Sequence, residues 1–189
     1  MLKKDARKLY REKRMQLTAR ERDKLDDLLL IRMQTAPIPF IQTLLSYWPI
    51  TASHEPATQL FSDFLSLANP SLAVCYPRTD FTNHTMEAIL TTDDTTFIQK
   101  ENNLFEPDAQ TVIAPEQLDM IFVPLLIFDK AGYRAGFGKG FYDRYLACCR
   151  PDCIKIGFSY FEPVERLEDR HEFDVPLNLC ITPEQVYVF

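Results

Sequence analysis

The stretch Met120-Ile-Phe-Val-Pro-Leu-Leu-Ile-Phe128 is an apolar run interrupted once, at Pro124, and it leads directly into Asp129-Lys-Ala-Gly-Tyr-Arg134-Ala-Gly-Phe-Gly-Lys-Gly140. Behind the last glycine, residues 140–149 carry aromatic and apolar side chains at helical spacing. The segment reads as a buried strand, a glycine-rich loop and a helix. Such units build sheets whose ligands sit at the carboxyl ends of the strands. The chain has only five glycines in 189 residues, against roughly 7% in average usage, and Gly132, Gly136, Gly138 and Gly140 all fall here. A sequence that uses glycine sparingly and then clusters it requires unusual backbone geometry at that one place.

Working outward, the first 35 residues read as two helices. Leu2, Leu9 and Tyr10 give the first an apolar stripe, and Thr18 with Glu21 forms a capping box that opens the second. Thr43 to Trp48 reads as a buried strand ended by Pro49, and 57–68 as a helix. Leu72 to Tyr76 reads as a strand stopped by Pro77, and 86–98 as looser β structure. Glu106 and Pro107 fall in a connection, while 155–159 and 179–182 are short strands. Strands alternating with helices predict an α/β/α sandwich with a mostly parallel sheet. No repeat or linker divides the chain, so 1–189 is expected to be one domain, with helices 1–35 packed on the core.

Net charge −6, from 21 Lys+Arg and 27 Asp+Glu, argues against a general nucleic-acid binder. No apolar run approaches the roughly 20 residues of a membrane span, and Met1-Leu2-Lys3-Lys4-Asp5 lacks a signal core. The expectation is a cytoplasmic, monomeric protein acting on a small molecule. Five scattered cysteines form no Cys-x-x-Cys pair, and they read as reduced structural thiols rather than a zinc site. His54, His84 and His171 pair with no nucleophile at a readable spacing.

The loop chemistry is that of phosphate. Alternating glycines turn backbone N–H groups toward one point, the helix start adds positive potential, and Arg134 and Lys139 add two full charges. The spacing fits neither a P-loop nor a dinucleotide fingerprint. Asp143, one helical turn beyond, is placed to hold magnesium bridging phosphates.

The ordered set Phe128-Asp129-Lys130, Gly132, Arg134, Gly136, Gly138-Lys139-Gly140 and Phe141-Tyr142-Asp143 closely resembles the signature of the 5-formyltetrahydrofolate cyclo-ligase family, or methenyltetrahydrofolate synthetases. Lys3 with Arg7, the region up to Glu55 and Thr58, Cys75 to Arg78, Glu106-Pro107 and 119–124 resemble it as well. The resemblance implies an enzyme that uses ATP and Mg2+ to convert 5-formyltetrahydrofolate to 5,10-methenyltetrahydrofolate, releasing ADP and phosphate. The formyl oxygen is phosphorylated and N10 then attacks. By the same resemblance Lys3, Arg7, Arg134, Gly136, Phe137, Gly138, Lys139, Gly140, Phe141 and Tyr142 contact ATP, with Lys139 and Arg134 neutralising the transferring oxygens. Asp143 holds magnesium. Glu55, Trp48 and residues 137–141 face the folate. Two extra residues separate Trp48 from Glu55 relative to the family's spacing, and Asn178 stands where a second metal-contacting acid is frequent, so it is not assigned to the metal. A non-catalytic nucleotide-binding regulator and a sugar-phosphate isomerase are the competing classes.

Overall fold

The computed structural model describes residues 1–100 and 103–189. In chain order the elements begin with α1 (Lys3–Met15), α2 (Ala19–Gln34), β1 (Thr43–Leu45) and α3 (Thr58–Ala68). Next come β2 (Ala73–Asp80), β3 (Thr85–Leu90), β4 (Phe97–Gln99), β5 (Phe105–Pro107) and β6 (Val112–Ile113). The rest are β7 (Met120–Phe122), β8 (Ile127–Phe128), β9 (Arg134–Ala135), α4 (Phe141–Leu146), β10 (Ile154–Phe158), β11 (Leu179–Ile181) and β12 (Val186–Val188). Among the described residues one sheet runs β12-β11-β10-β7-β1-β2-β3-β6. It is parallel from β11 to β2 and antiparallel at both edges.

Alternation along the central strands divides the core. Leu44, Met120, Phe122, Ile156 and Phe158 face α2 and α3, meeting Leu29, Met33 and Phe61. Leu45, Cys75, Ile121 and Cys180 face the other way, toward Tyr145 and Leu146 of α4. The central strands are therefore apolar on both faces, as a sheet covered twice requires, and the α/β/α reading holds. Burying each of these large side chains contributes about 1.5–3 kcal/mol.

The crossover from β1 goes through α3 on one face to β2, and that from β7 goes through α4 on the other face to β10. The sheet order reverses between β1 and β7. A crevice opens beyond the carboxyl ends of two strands whose connections diverge in this way.

Several local expectations need correction. Thr18 does cap α2, with its Oγ1 accepting the Glu21 N–H and the Glu21 carboxylate accepting the Thr18 N–H, worth about 1 kcal/mol. In α1, however, Leu2 and Leu9 are exposed, and the buried residues are Lys3, Ala6, Tyr10 and Arg14. That face packs on Leu126, Ile127, Ala135 and Leu167, beside the sheet rather than on it. β1 stops at Leu45, which leaves Tyr47 and Trp48 beyond its end. β2 runs through Pro77 to Asp80, because past Cys75 it has lost β1 and pairs only with β3, where a missing N–H is tolerated. The glycine segment is not a plain loop: β8 and β9 pair as a hairpin around Gly132, and the other three clustered glycines follow β9. Helix α4 ends at Leu146, short of 149, with Pro151 close behind.

Candidate functional site

The crevice between β1 and β7 widens into a cleft of about 670 Å³. Four of its lining residues are Lys or Arg: Lys3, Arg7, Arg134 and Lys139. Lys3 and Arg7, one turn apart on α1, both line it. The Lys3 ammonium pairs with Asp174, and its backbone N–H donates to Asp169 Oδ1 at 2.7 Å. Burial pushes the Asp174 carboxyl up, but the Lys3 contact and the His171 N–H outweigh burial and hold it below the usual range. Arg7 Nε donates to the Gly136 carbonyl at 2.8 Å, tying α1 to the glycine turn.

Within that turn Gly138 and Gly140 have φ of +87° and +70°, the left-handed region that other residues enter only with strain. Gly136 does not need its glycine for this reason; its carbonyl is what matters. Lys139 is exposed and forms no ion pair with a described residue. Arg134 differs from the loop cation the sequence suggests. Its side chain is buried in β9, donating through Nη1 to the Val175 carbonyl at 2.7 Å and through Nη2 to Asp143 Oδ1 at 3.0 Å. Burial lowers its pKa and the Asp143 charge works against that shift. The other Asp143 oxygen accepts no hydrogen bond from a described residue.

The cleft is also lined by aromatic and acidic residues. Trp48 packs 4.6 Å from Phe97 and 5.8 Å from Phe105, ring centre to ring centre. Glu55, 8% exposed, accepts the Ile50 N–H at 2.6 Å. Burial pushes its carboxyl up to about 7, only partly opposed by that hydrogen bond and by Arg14. The Tyr142 hydroxyl is buried without a partner among the described residues, its pKa raised by burial.

The geometry has a counterpart among known proteins. The sequence model of the 5-formyltetrahydrofolate cyclo-ligase family matches residues 3–183. The chain belongs to that family. A 5-formyltetrahydrofolate cyclo-ligase of Mycoplasma pneumoniae is 35% identical over 182 residues, covering 94% of this chain and 96% of the relative. The family resemblance extends to solved structures. The NMR structure of the Aquifex aeolicus 5,10-methenyltetrahydrofolate synthetase superposes with a TM-score of 0.81 at 28% identity, covering 100% of this chain and 93% of that one. A Mycoplasma pneumoniae 5,10-methenyltetrahydrofolate synthetase structure gives 0.74 at 30% identity, covering 96% and 98%.

All the site residues suggested by the cyclo-ligase resemblance line this one cleft: Lys3 and Arg7 from α1, Trp48 and Glu55 after β1, and Arg134, Gly136 to Tyr142 and Asp143 from β9 onward. The residues present fit a phosphate chain. A side chain at Gly138 would stand 3.5 Å from the Arg7 guanidinium, so the glycine keeps open the space between a cation and the turn. They fit magnesium as well, on one condition. No three ligating side chains cluster among the described residues, so phosphate oxygens and water must supply most ligands beside Asp143, as magnesium ordinarily prefers. Asn178 is elsewhere. Its Oδ1 accepts the Lys155 N–H at 2.9 Å, joining β10 to β11.

Sequence reasoning missed Asp169, Asp174, Glu106 and Arg14. The first three lie in loops or a short strand with no periodic signal. Arg14 was legible, since the positions 3, 7, 10 and 14 recur at helical spacing on one face of α1. It is buried, donates to the Leu125 carbonyl at 3.2 Å, and lies over the Phe137 ring. His54 turns away from the cleft, with Nδ1 3.1 Å from the Arg14 carbonyl and from Arg22 Nη1. All five cysteines are free thiols.

Proposed function

We propose that this chain catalyses the ATP-dependent conversion of 5-formyltetrahydrofolate to 5,10-methenyltetrahydrofolate, with magnesium as the metal. The observation that carries the proposal is what this cleft brings together. The glycine turn, Lys3, Arg7 and Lys139 share the cleft with Trp48, Phe105 and the buried acids Glu55 and Glu106. That combination suits a flat ring bearing N–H groups, whose N5-formyl oxygen receives a phosphoryl group from ATP held at the turn.

ATP supplies the phosphoryl group that makes the formyl oxygen a leaving group, and magnesium offsets the charge of its phosphates. The chain's own residues do the positioning. Lys3 and Arg7 bind phosphate oxygens from α1, and the N–H groups of the turn at Gly138 and Gly140 aim donors at the same place. Lys139, whose ammonium forms no ion pair with a described residue, neutralises charge that develops on the transferring oxygens. Arg134 keeps Asp143 in place by holding one of its oxygens and leaving the other to the metal. Glu55 accepts N–H donors of the pterin, and Trp48 covers a ring face.

The test is the growth of methenyltetrahydrofolate absorbance from 5-formyltetrahydrofolate, with ATP and magnesium omitted in turn. Product is expected only when both are present. Product that forms equally without ATP, or none under any condition, overturns the proposal.

A further inference from the structure

The cleft holds a further buried acid beside Glu55 in its lining that the phosphate chemistry does not use. Glu106, in β5, is 6% exposed and lines the same cleft as Glu55. Its Oε1 accepts the Thr79 N–H of β2 at 2.7 Å, which fixes where the carboxylate points. Its Oε2 accepts no hydrogen bond from a described residue. Among the described residues no Lys, Arg or His forms an ion pair with Glu106. A carboxylate taken out of water without a cation needs hydrogen-bond donors to replace the water it lost.

Glu55 is held in the same way. Its Oε2 accepts the Ile50 N–H, and its Oε1 accepts nothing from a described residue. Each acid lines the cleft, gives one oxygen to a backbone N–H and has its other oxygen unclaimed by a described residue. The ring of the proposed substrate, a 2-aminopyrimidinone fused to a tetrahydropyrazine, carries N–H donors at N3, at N8 and twice at the 2-amino group. One open oxygen on Glu55 is a poor match for that many donors. Trp48 and Phe105, which line the same cleft with ring centres 5.8 Å apart, supply an apolar face on which such a ring packs.

We infer that Glu106 is a second substrate-reading carboxylate, whose open oxygen accepts a pterin N–H and so shares recognition of the ring with Glu55. The inference rests on the folate reading above. It makes Glu106 a specificity residue for the ring and assigns it no part in phosphoryl transfer.

Glu106→Gln separates this from a structural role, because the amide oxygen can still accept the Thr79 N–H. Trp48 is the chain's one tryptophan and lines the cleft, so its fluorescence reports 5-formyltetrahydrofolate binding without ATP and without turnover. The variant is expected to bind roughly 10- to 100-fold more weakly, the usual loss when a charged acceptor is replaced by a neutral one that also brings an N–H₂. Its KM for ATP should stay within about twofold, and its melting temperature should not fall, since a buried charge has been removed. A second measurement needs only the parent protein: a substrate analogue with hydrogen in place of the 2-amino group should bind at least roughly 10-fold more weakly. A glutamine variant that binds folate like a parent that does turn it over overturns the Glu106 assignment alone, as does a parent indifferent to the 2-amino group. A parent that neither binds nor converts 5-formyltetrahydrofolate overturns the folate reading and this one with it.

Discussion

Arg134 holds Asp143 by a single oxygen: Nη2 donates to Oδ1 at 3.0 Å, and the Val175 N–H donates to that same atom at 3.2 Å. The carboxylate is fixed in orientation while its second oxygen stays available. Asp143→Asn keeps an acceptor for both donors but removes the negative charge. The magnesium concentration for half-maximal rate is expected to rise about tenfold or more, with a lower rate at saturation. Stability should drop by about 1–3 kcal/mol, because buried Arg134 is left with only neutral acceptors. Magnesium titrations and urea melts check the two effects separately. A parent-like magnesium dependence would remove Asp143 from the metal site.

Lys139 makes the opposite kind of prediction. It is exposed and forms no ion pair with a described residue, so Lys139→Ala should leave the melting temperature unchanged. Turnover should fall roughly 10²–10³-fold, the usual loss of one preorganised electrostatic group. An unaltered turnover number in the purified variant would exclude a catalytic role.

Gly138→Val should act on ATP rather than on folate. At φ +87° any side chain is strained, by about 1–2 kcal/mol, and a branched one fills the space beside Arg7. Calorimetric titration is expected to show nucleotide affinity reduced tenfold or more with folate affinity kept. Unchanged nucleotide affinity would mean that the turn does not cradle phosphate.

Two buried acids set the pH dependence of stability. Burial pushes Glu55 up to about 7 from 4.5, and Asp26, which accepts from the Tyr160 hydroxyl at 2.8 Å, up to about 6 from 3.8. The native state thus keeps protons that the unfolded chain has already released. Their penalty is absent at pH below the unfolded values, grows as pH rises through the interval up to 6 and 7, and is constant above it. The urea midpoint is expected to be higher near pH 5 than near pH 8, and Glu55→Gln should flatten the difference. A midpoint that rises over the same interval would contradict the sign.

How much of this was legible depends on how local each signal is. The capping box Thr18–Glu21 and the glycine cluster are written in adjacent residues, and both appear where the sequence put them. The cluster's hairpin was hidden because β8 and β9 are two residues each, too short to show alternation. Burial of Lys3 and Arg14 contradicts the ordinary behaviour of basic residues. It is made possible by Asp174 and by a carbonyl after β7, far away in sequence. Glu106 was visible as part of the Glu106-Pro107 match to the family, with no role attached to it. That it lines the cleft follows from β5 lying against β2, a packing no window of sequence records.

The docking of α1 has a consequence for biosynthesis. Lys3 and Arg7 are translated well before their partners Gly136, Asp169 and Asp174 and before the apolar seat at Leu126, Ile127, Ala135 and Leu167. A nascent chain carries these two cations on an undocked helix while β1 and β2 emerge, and contacts of such long sequence separation form late. A ribosome-bound chain stopped short of residue 125 should leave α1 open to protease, and the released full-length chain should protect it. The cleft is then completed in one step, once residues 126–174 have emerged, rather than by degrees.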